Sequence, residues 1–150
     1  MCSSDLLFHN IEYGTKIFNK LQEEIPDKEF YYIDGSVNNK NREIIKTEME
    51  KNDGKIRVLV ASYGTLAVGV SMNSLFYLVM TDSFKSEQII IQAIGRLLRK
   101  KFDKKIATIF DIVDVLDPEK MNNILYKHYR ERQKFYDDRK YPYKEIKVNL

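Results

Sequence analysis

The segment richest in potential chemistry is Gln92-Ala93-Ile94-Gly95-Arg96-Leu97-Leu98-Arg99. On a helix advancing 100° per residue, Gln92, Arg96 and Arg99 fall within about 60° of one another, so one face presents an amide and two guanidiniums. Ile90, Ile94, Leu97 and Leu98 fall opposite and are expected to pack inward. Paired guanidiniums suit negative charge spread over phosphoryl oxygens. Supplied to a nucleotide held by another domain, such an arginine stabilises the transition state of phosphoryl transfer. Gly95 borders the polar face. A glycine costs a helix about 1 kcal/mol relative to alanine, so its presence suggests that something approaches the backbone closely. An amphipathic surface helix with solvated arginines fits the same spacing equally well.

A second segment, Val60-Ala61-Ser62-Tyr63-Gly64-Thr65-Leu66-Ala67-Val68-Gly69-Val70-Ser71, reads as a strand ending in small hydroxyl residues, then a short helix, then Gly-Val-Ser. Ser62 and backbone N–H groups at a helix start can hold a phosphate. Gly69 and Ser71 can form a close-approach loop with a hydroxyl for a ribose. A plain strand–turn–helix connection accounts for this stretch as well. Residues 96–105 hold six cations against one anion, and 127–140 form a second basic stretch interleaved with Tyr129, Phe135 and Tyr136. Such patches can meet phosphate. In the second, Glu131, Asp137 and Asp138 dilute the charge, and a solvated helix face is the simpler reading, with DNA contact by Lys127, Arg130, Arg132 and Lys134 as the alternative.

The elements that position these groups emerge from the apolar pattern. Strands are expected at 6–8, 30–33, 56–61, 75–80 and 106–112. Helices are expected at 11–25, 39–51, 86–101 and 118–140, with Ile44, Ile45 and Met49 inward in the second and Met121, Ile124, Leu125, Tyr129 and Tyr136 packing in the last. Strands that alternate with helices and read as nearly continuous apolar runs indicate a parallel sheet covered on both faces. Ligands of such sheets bind beyond the carboxyl ends of the strands. Asp34-Gly35-Ser36, Ser62-Tyr63-Gly64 and Asp82-Ser83 should lie there.

Composition narrows the class. The 150 residues are 43% hydrophobic and 31% charged, with net charge +3, an ordinary balance for a globular domain. No apolar run approaches the roughly 20 residues of a membrane helix. A single cysteine and two distant histidines exclude an internal disulfide and a Cys/His zinc site. The first residues lack the basic region of a signal peptide, so a cytoplasmic setting is expected.

Taken together, the two segments resemble motifs V and VI of superfamily 2 helicases. The Gln-x-x-Gly-Arg-x-x-Arg pattern of motif VI is matched at Gln92, Gly95, Arg96 and Arg99, and motif V at Ala61-Ser62 and Gly69-Val70-Ser71. Leu7-Phe8-His9 with Tyr13-Gly14 is similar to motif IV, and Ile33-Asp34-Gly35-Ser36 with Arg42 to the stretch after it. Many relatives carry Thr at the position of Ser62, Asp at that of Ser71 and His at that of Tyr13. The likeness covers residues 5 to about 116 and is particularly clear to T4-like phage recombination and repair helicases of the UvsW type. It implies a second RecA-like domain over 1–116: a three-layer α/β/α fold with a mainly parallel sheet, P-loop NTPase-like but without the P-loop. A C-terminal helical extension and tail would occupy 117–150. It also implies ATP with Mg²⁺ as cofactor, DNA (branched or single-stranded) and an N-terminal RecA-like domain as partners, a monomer, no membrane, and the bacterial host cytoplasm if phage-encoded. Arg96, Arg99 and Gln92 would face the γ-phosphate, one arginine acting as finger. Gly69, Ser71 and Gly95 would lie near the nucleotide, and Ser62, Gly35, Ser36 and His9 near the nucleic-acid backbone.

Two parts of a motor are missing from the chain. There is no G-x-x-x-x-G-K-[ST] loop and no Asp-Glu dipeptide to hold Mg²⁺ and activate water. The chain alone is therefore expected not to hydrolyse ATP, and a stand-alone nucleic-acid-binding or regulatory module is the second reading. An unrelated flavodoxin-like or Rossmann-like enzyme would need a glycine-rich loop after the first strand, where His9-Asn10-Ile11-Glu12-Tyr13-Gly14 stands.

Overall fold

Side chains alternate across a strand, so a strand buried on both faces must find partners in two layers. The computed structural model describes residues 3–66, 75–82, 86–98, 106–115 and 123–148. These form β1 (Ser3–Phe8), α1 (Ile11–Glu24), β2 (Glu29–Ile33), α2 (Asn39–Met49), β3 (Arg57–Ser62), α3 (Tyr63–Leu66), β4 (Leu75–Met80), α4 (Glu87–Leu97), β5 (Thr108–Asp111) and α5 (Ile124–Asp138). The five strands make one sheet in the order β2-β3-β1-β4-β5, every pair parallel, with helices flanking it as the alternation of elements requires. β1 lies at the centre. Phe8 stacks on Tyr32 with ring centroids 5.5 Å apart, on the side where α1 packs. Asp5, three residues earlier, points to the other face and meets Arg96 of α4. α1 and α4 therefore cover opposite faces of the sheet.

The chain falls into two compact units. One comprises Met1–Asp82 and Gln88–Ile112, which includes the sheet. Its core is built from Leu7, Phe8, Ile33, Leu59, Val60, Leu75, Leu78, Met80, Ile90 and Leu97, all essentially without exposed surface. Burial of each such large side chain stabilises by about 1.5–3 kcal/mol. At the amino end of the sheet, buried Arg57 grips both oxygens of Asp53 at 2.8 and 2.5 Å and lies 2.8 Å from Glu29. This ties β2 and β3 to the turn that precedes β3. The other unit comprises Ser83–Glu87 and Val113–Leu150. In it α5 starts at Ile124, where the Asn123 side chain accepts from the Tyr126 N–H. The tail folds back along α5: Tyr141 meets Phe135, Tyr143 meets Tyr136, and Glu145 receives the Tyr129 hydroxyl and the Gln133 amide.

Several expectations shift. β1 begins at Ser3, not at Leu6, because Ser3 and Asp5 are buried polar members of the strand. Of the three α2 residues expected inward, Met49 is buried and Ile45 half-buried as expected, but Ile44 is 52% exposed. Ile124 is exposed at the first turn of α5. Arg132, weighed as a DNA contact, has no exposed surface and is unavailable for one. The expected start of the last helix near 118 and the expected end of α4 near 101 both lie outside the described residues.

Gly14 in α1 has a packing reason. A Cβ built there would sit 2.5 Å from the Phe8 ring, which is itself fixed by Tyr32 and has no surface to retreat to. Gly14→Ala is expected to destabilise the chain by about 1–3 kcal/mol in urea unfolding through this overpacking. Stability equal to or above that of the parent would contradict the close approach.

Candidate functional site

The carboxyl ends of the central strands converge on one edge. Phe8 is in register with Ser62, Ile33 with Ala61, and Leu7 with Met80. The segments immediately beyond, at His9, Asp34–Ser36, Tyr63–Thr65 and Thr81–Asp82, therefore leave the sheet side by side, as expected for that edge.

Each of these segments is held by local hydrogen bonds. After β1, the Asp82 carboxylate accepts from the backbone N–H groups of His9 and Asn10, the latter at 3.3 Å. Asn10 in turn caps α1 by accepting from the Tyr13 N–H at 3.0 Å. Thr81 donates both its N–H and its hydroxyl to the Leu7 carbonyl, at 3.1 and 2.8 Å. The His9 side chain is left exposed at the edge. Asp82 is placed on the edge by sequence, but its clamping of the β1–α1 turn is not foreseen there. An acid two residues beyond a strand end is the one signal that points to it.

After β2, Asp34 Oδ1 accepts from the Ser36 N–H at 2.8 Å and the Ser36 hydroxyl at 2.6 Å, and the Tyr32 hydroxyl donates to Oδ2 at 3.3 Å. The Ser36 hydroxyl is the main reason the Asp34 carboxyl lies below the usual range. Arg42 donates from Nε to the Val37 carbonyl at 2.7 Å and from Nη2 to the Asp34 carbonyl at 3.1 Å. The loop is thus built around an Asp34 turn. Ser36 donates both its N–H and its hydroxyl to Asp34, whereas a Cβ on Gly35 would meet nothing within 4 Å. After β3, the hydroxyls of Ser62 and Thr65 share a hydrogen bond, with Thr65 and Tyr63 buried and Gly64 open.

The motif-bearing helix α4 departs from the helical-wheel expectation. Gln92 is exposed, as expected. Leu98 is 55% exposed, although the wheel puts it inward, and Arg96 is only 7% exposed, although the wheel puts it on the polar face. The physical reason is the true direction of the core, centred on Ile90, Ala93, Ile94 and Leu97. Arg96 lies beside Ala93 on that circle, and its Nη2 reaches the Asp5 carboxylate at 3.2 Å. The amide and the arginine therefore diverge, Gln92 outward and Arg96 inward. Gly95 is exposed, and nothing lies within 4 Å of a Cβ built on it. No packing inside this unit explains a glycine there. Arg99, Gly69 and Ser71 lie outside the described residues.

Asp5 has no exposed surface, and Leu59 and Leu78 flank it in register on the neighbouring strands. Its Oδ1 receives no hydrogen bond. Burial outweighs the attraction of Arg96 and raises the Asp5 carboxyl to about 6. Among the described residues no group of three or more His, Cys, Asp or Glu side chains is arranged to hold a metal ion, and no helix is long and apolar enough to cross a membrane.

Comparison with known proteins agrees with this geometry. The helicase conserved C-terminal domain family matches residues 4–101. The ATP-dependent DNA helicase uvsW of Enterobacteria phage T4 is 37% identical over 155 residues, covering 97% of this chain and 30% of that protein. The chain therefore spans about a third of the length of this relative. The crystal structure of T4 UvsW superposes with TM-score 0.68 at 33% identity, over 91% of this chain and 29% of that one. Domain 2 of the DEAD-box helicase Mss116p, solved with an RNA duplex, superposes with TM-score 0.60 at 15% identity, over 74% of this chain and 42% of that one, a likeness of fold.

The buried Asp5 has a consequence for stability. Its folded value lies above the ordinary carboxylate value near 4, so the folded state binds the proton more tightly than the unfolded state. Its contribution to stability is therefore greatest at low pH and declines as pH rises from about 4 to about 6, by on the order of 1–3 kcal/mol. Unfolding free energies of the parent and of Asp5→Asn, measured across this range, are expected to differ by an amount that moves against the parent as pH rises. A difference that stays flat would show that Asp5 titrates normally.

Proposed function

The chain belongs to the helicase conserved C-terminal domain family and is the C-terminal domain of a UvsW-like helicase; on that premise we propose that it forms the second half of an ATP-driven DNA motor. ATP with Mg²⁺ is held chiefly by a first RecA-like domain carrying the phosphate loop. This domain closes over the γ-phosphate from the other side. Among the motif VI residues Gln92, Arg96 and Arg99, Arg99 is the arginine finger, Gln92 joins the phosphate network, and Arg96 belongs to the same catalytic helix. As the phosphoryl group leaves, charge spreads over its equatorial oxygens, and a pre-positioned guanidinium stabilises it without reorganisation. Gly69 and Ser71 lie near the ribose.

The observation that carries this reading is α4 itself. It bears the motif VI pattern, exposes Gln92, and has at Gly95 a bare patch of backbone for which its own unit supplies no packing reason. A surface meant for solvent gains from alanine there; a surface meant for another domain or a nucleotide does not.

The nucleic-acid side is the edge where β1, β2 and β3 end. His9, Gly35, Ser36 and Ser62 are proposed to track the DNA backbone, which carries positioning rather than sequence information. Within the Asp34 turn, the open Gly35 backbone is the contact and Ser36 orders the loop. ATP-dependent closure would move this edge along the strand. The role fits recombination, repair or fork remodelling by a monomer in the host cytoplasm.

Two outcomes test the reading. In the helicase assembled with a first RecA-like domain, Arg99→Ala should lower DNA-stimulated ATP hydrolysis by roughly 10³-fold or more, as loss of an arginine finger does. The 150-residue chain alone should show no Mg²⁺-dependent ATP hydrolysis. Activity in the chain alone, or an unimpaired Arg99→Ala helicase, would overturn the assignment. Gly95→Ala separates surface from core: in the isolated chain it should be neutral or stabilising by up to about 1 kcal/mol. In the assembled helicase it should depress DNA-stimulated ATPase, and full activity there would mean that nothing approaches the bare backbone.

A further inference from the structure

Surface charges of both signs are ordinarily interspersed, and the unit that holds the sheet follows that rule. There Lys16, Lys28, Lys46, Lys51 and Lys55 each lie against a carboxylate. The unit built on α5 is different. Residues 123–148 carry eight lysines and arginines against four acids, a net +4, while the other 124 residues of the chain sum to −1. Among the described residues Lys127, Lys134, Lys140 and Lys144 form no ion pair, although Glu131 and Asp138 stand four positions after Lys127 and Lys134 on α5. The other two acids are occupied in folding the tail onto the helix. Glu145 receives the Tyr129 hydroxyl and the Gln133 amide, with Arg130 and Lys147 close by, and Asp137 lies against the Tyr143 hydroxyl.

These contacts set the tail beside the face of α5 that carries Tyr129, Gln133 and Tyr136. On the helical circle Arg130, Lys134 and Lys127 fall within about 60° of one another, beginning next to the tail, and Glu131 and Asp138 follow on the side away from it. All three cations are exposed, as are Lys144 and Lys147 on the tail, whereas Arg132 is buried and takes no part. Helix and tail thus join five cations into one surface. Like charges gathered without counter-charges repel one another, and a polyanion that sheds its own condensed ions relieves them.

We propose that α5 and its folded-back tail form a nucleic-acid contact of their own, in which Lys127, Arg130, Lys134, Lys144 and Lys147 meet the phosphate backbone, in addition to the residues at the strand-end edge. The helicase reading supplies only the identity of the polyanion. The test follows binding of the 150-residue chain to a labelled single-stranded DNA oligonucleotide by fluorescence anisotropy across a salt series. Lys127→Gln, Lys134→Gln, Lys144→Gln and Lys147→Gln combined should weaken binding roughly 10-fold near about 0.1 M salt and lower the slope of log K against log salt by about 2–3, from about 0.7 per lost phosphate contact. The same four positions changed to Arg should bind as the parent does. Lys16→Gln, Lys20→Gln, Lys46→Gln and Lys51→Gln combined change the net charge equally and should leave the slope as it is. No binding by the parent, an unchanged slope in the first variant, or an equal fall in the last would each overturn the proposal. Displacement of the oligonucleotide by polyglutamate as readily as by unlabelled DNA would point to an acidic protein partner and overturn it as well. None of these outcomes touches the helicase reading, which fails instead if Arg99→Ala is silent.

Discussion

A carboxylate without exposed surface sits at the middle of the central strand, and a guanidinium from α4 crosses the core to meet it. Taking both charges out of water costs several kcal/mol, which their attraction offsets only in part. The raised Asp5 value and its unaccompanied Oδ1 are signs of that incomplete compensation. Breaking the pair by removing one member would leave a buried charge behind, at a cost of about 3–5 kcal/mol. Such a contact does little for overall stability but specifies one arrangement. Here it lies on the same buried arc of α4 as Ile90, Ala93, Ile94 and Leu97, the arc that leaves Gln92 and Gly95 facing outward.

The remaining architecture serves the same edge. The parallel sheet places the ends of β1, β2, β3 and β4 together, and short polar networks hold the described residues just beyond them. Asp82 ties the β1–α1 turn to the end of β4, and Asp34 ties its own turn to Arg42 of α2. Arg57, Asp53 and Glu29 fasten the opposite end of the sheet. On the proposed reading, in which this domain closes on a partner domain, contact segments need to be fixed to the scaffold, and these hydrogen bonds fasten them to it.

Much of this is legible in the residues alone. Apolar runs locate all five strands, β4 to the residue; β1 and β3 are largely buried, and β2 and β5, at the sheet's edges, are half-buried yet still aromatic and β-branched enough to read as strands. The Gln-x-x-Gly-Arg-x-x-Arg pattern leads to the family. Asp5 escapes notice because Ser3-Ser4-Asp5 looks like the polar approach to a strand, and only a partner 91 residues away makes an acid tolerable inside it. The misplacement of Arg96 and Leu98 has the same origin. A wheel drawn from apolar residues alone centres on the wrong angle when a charged residue contributes to the buried arc. Gly14 and Gly95 are indistinguishable as letters, yet one lies under the Phe8 ring and the other opens outward.

The central claim is that the exposed face of α4 acts on a nucleotide held by a different domain. The most direct measurement tracks backbone resonances of the isotope-labelled chain as ADP with beryllium fluoride and Mg²⁺ is added, first alone and then with a first RecA-like domain. Gln92 and Gly95 should be unmoved by the nucleotide alone and shift strongly once the partner domain is present. Shifts with nucleotide alone, or no shift at α4 in the ternary mixture, would contradict the account.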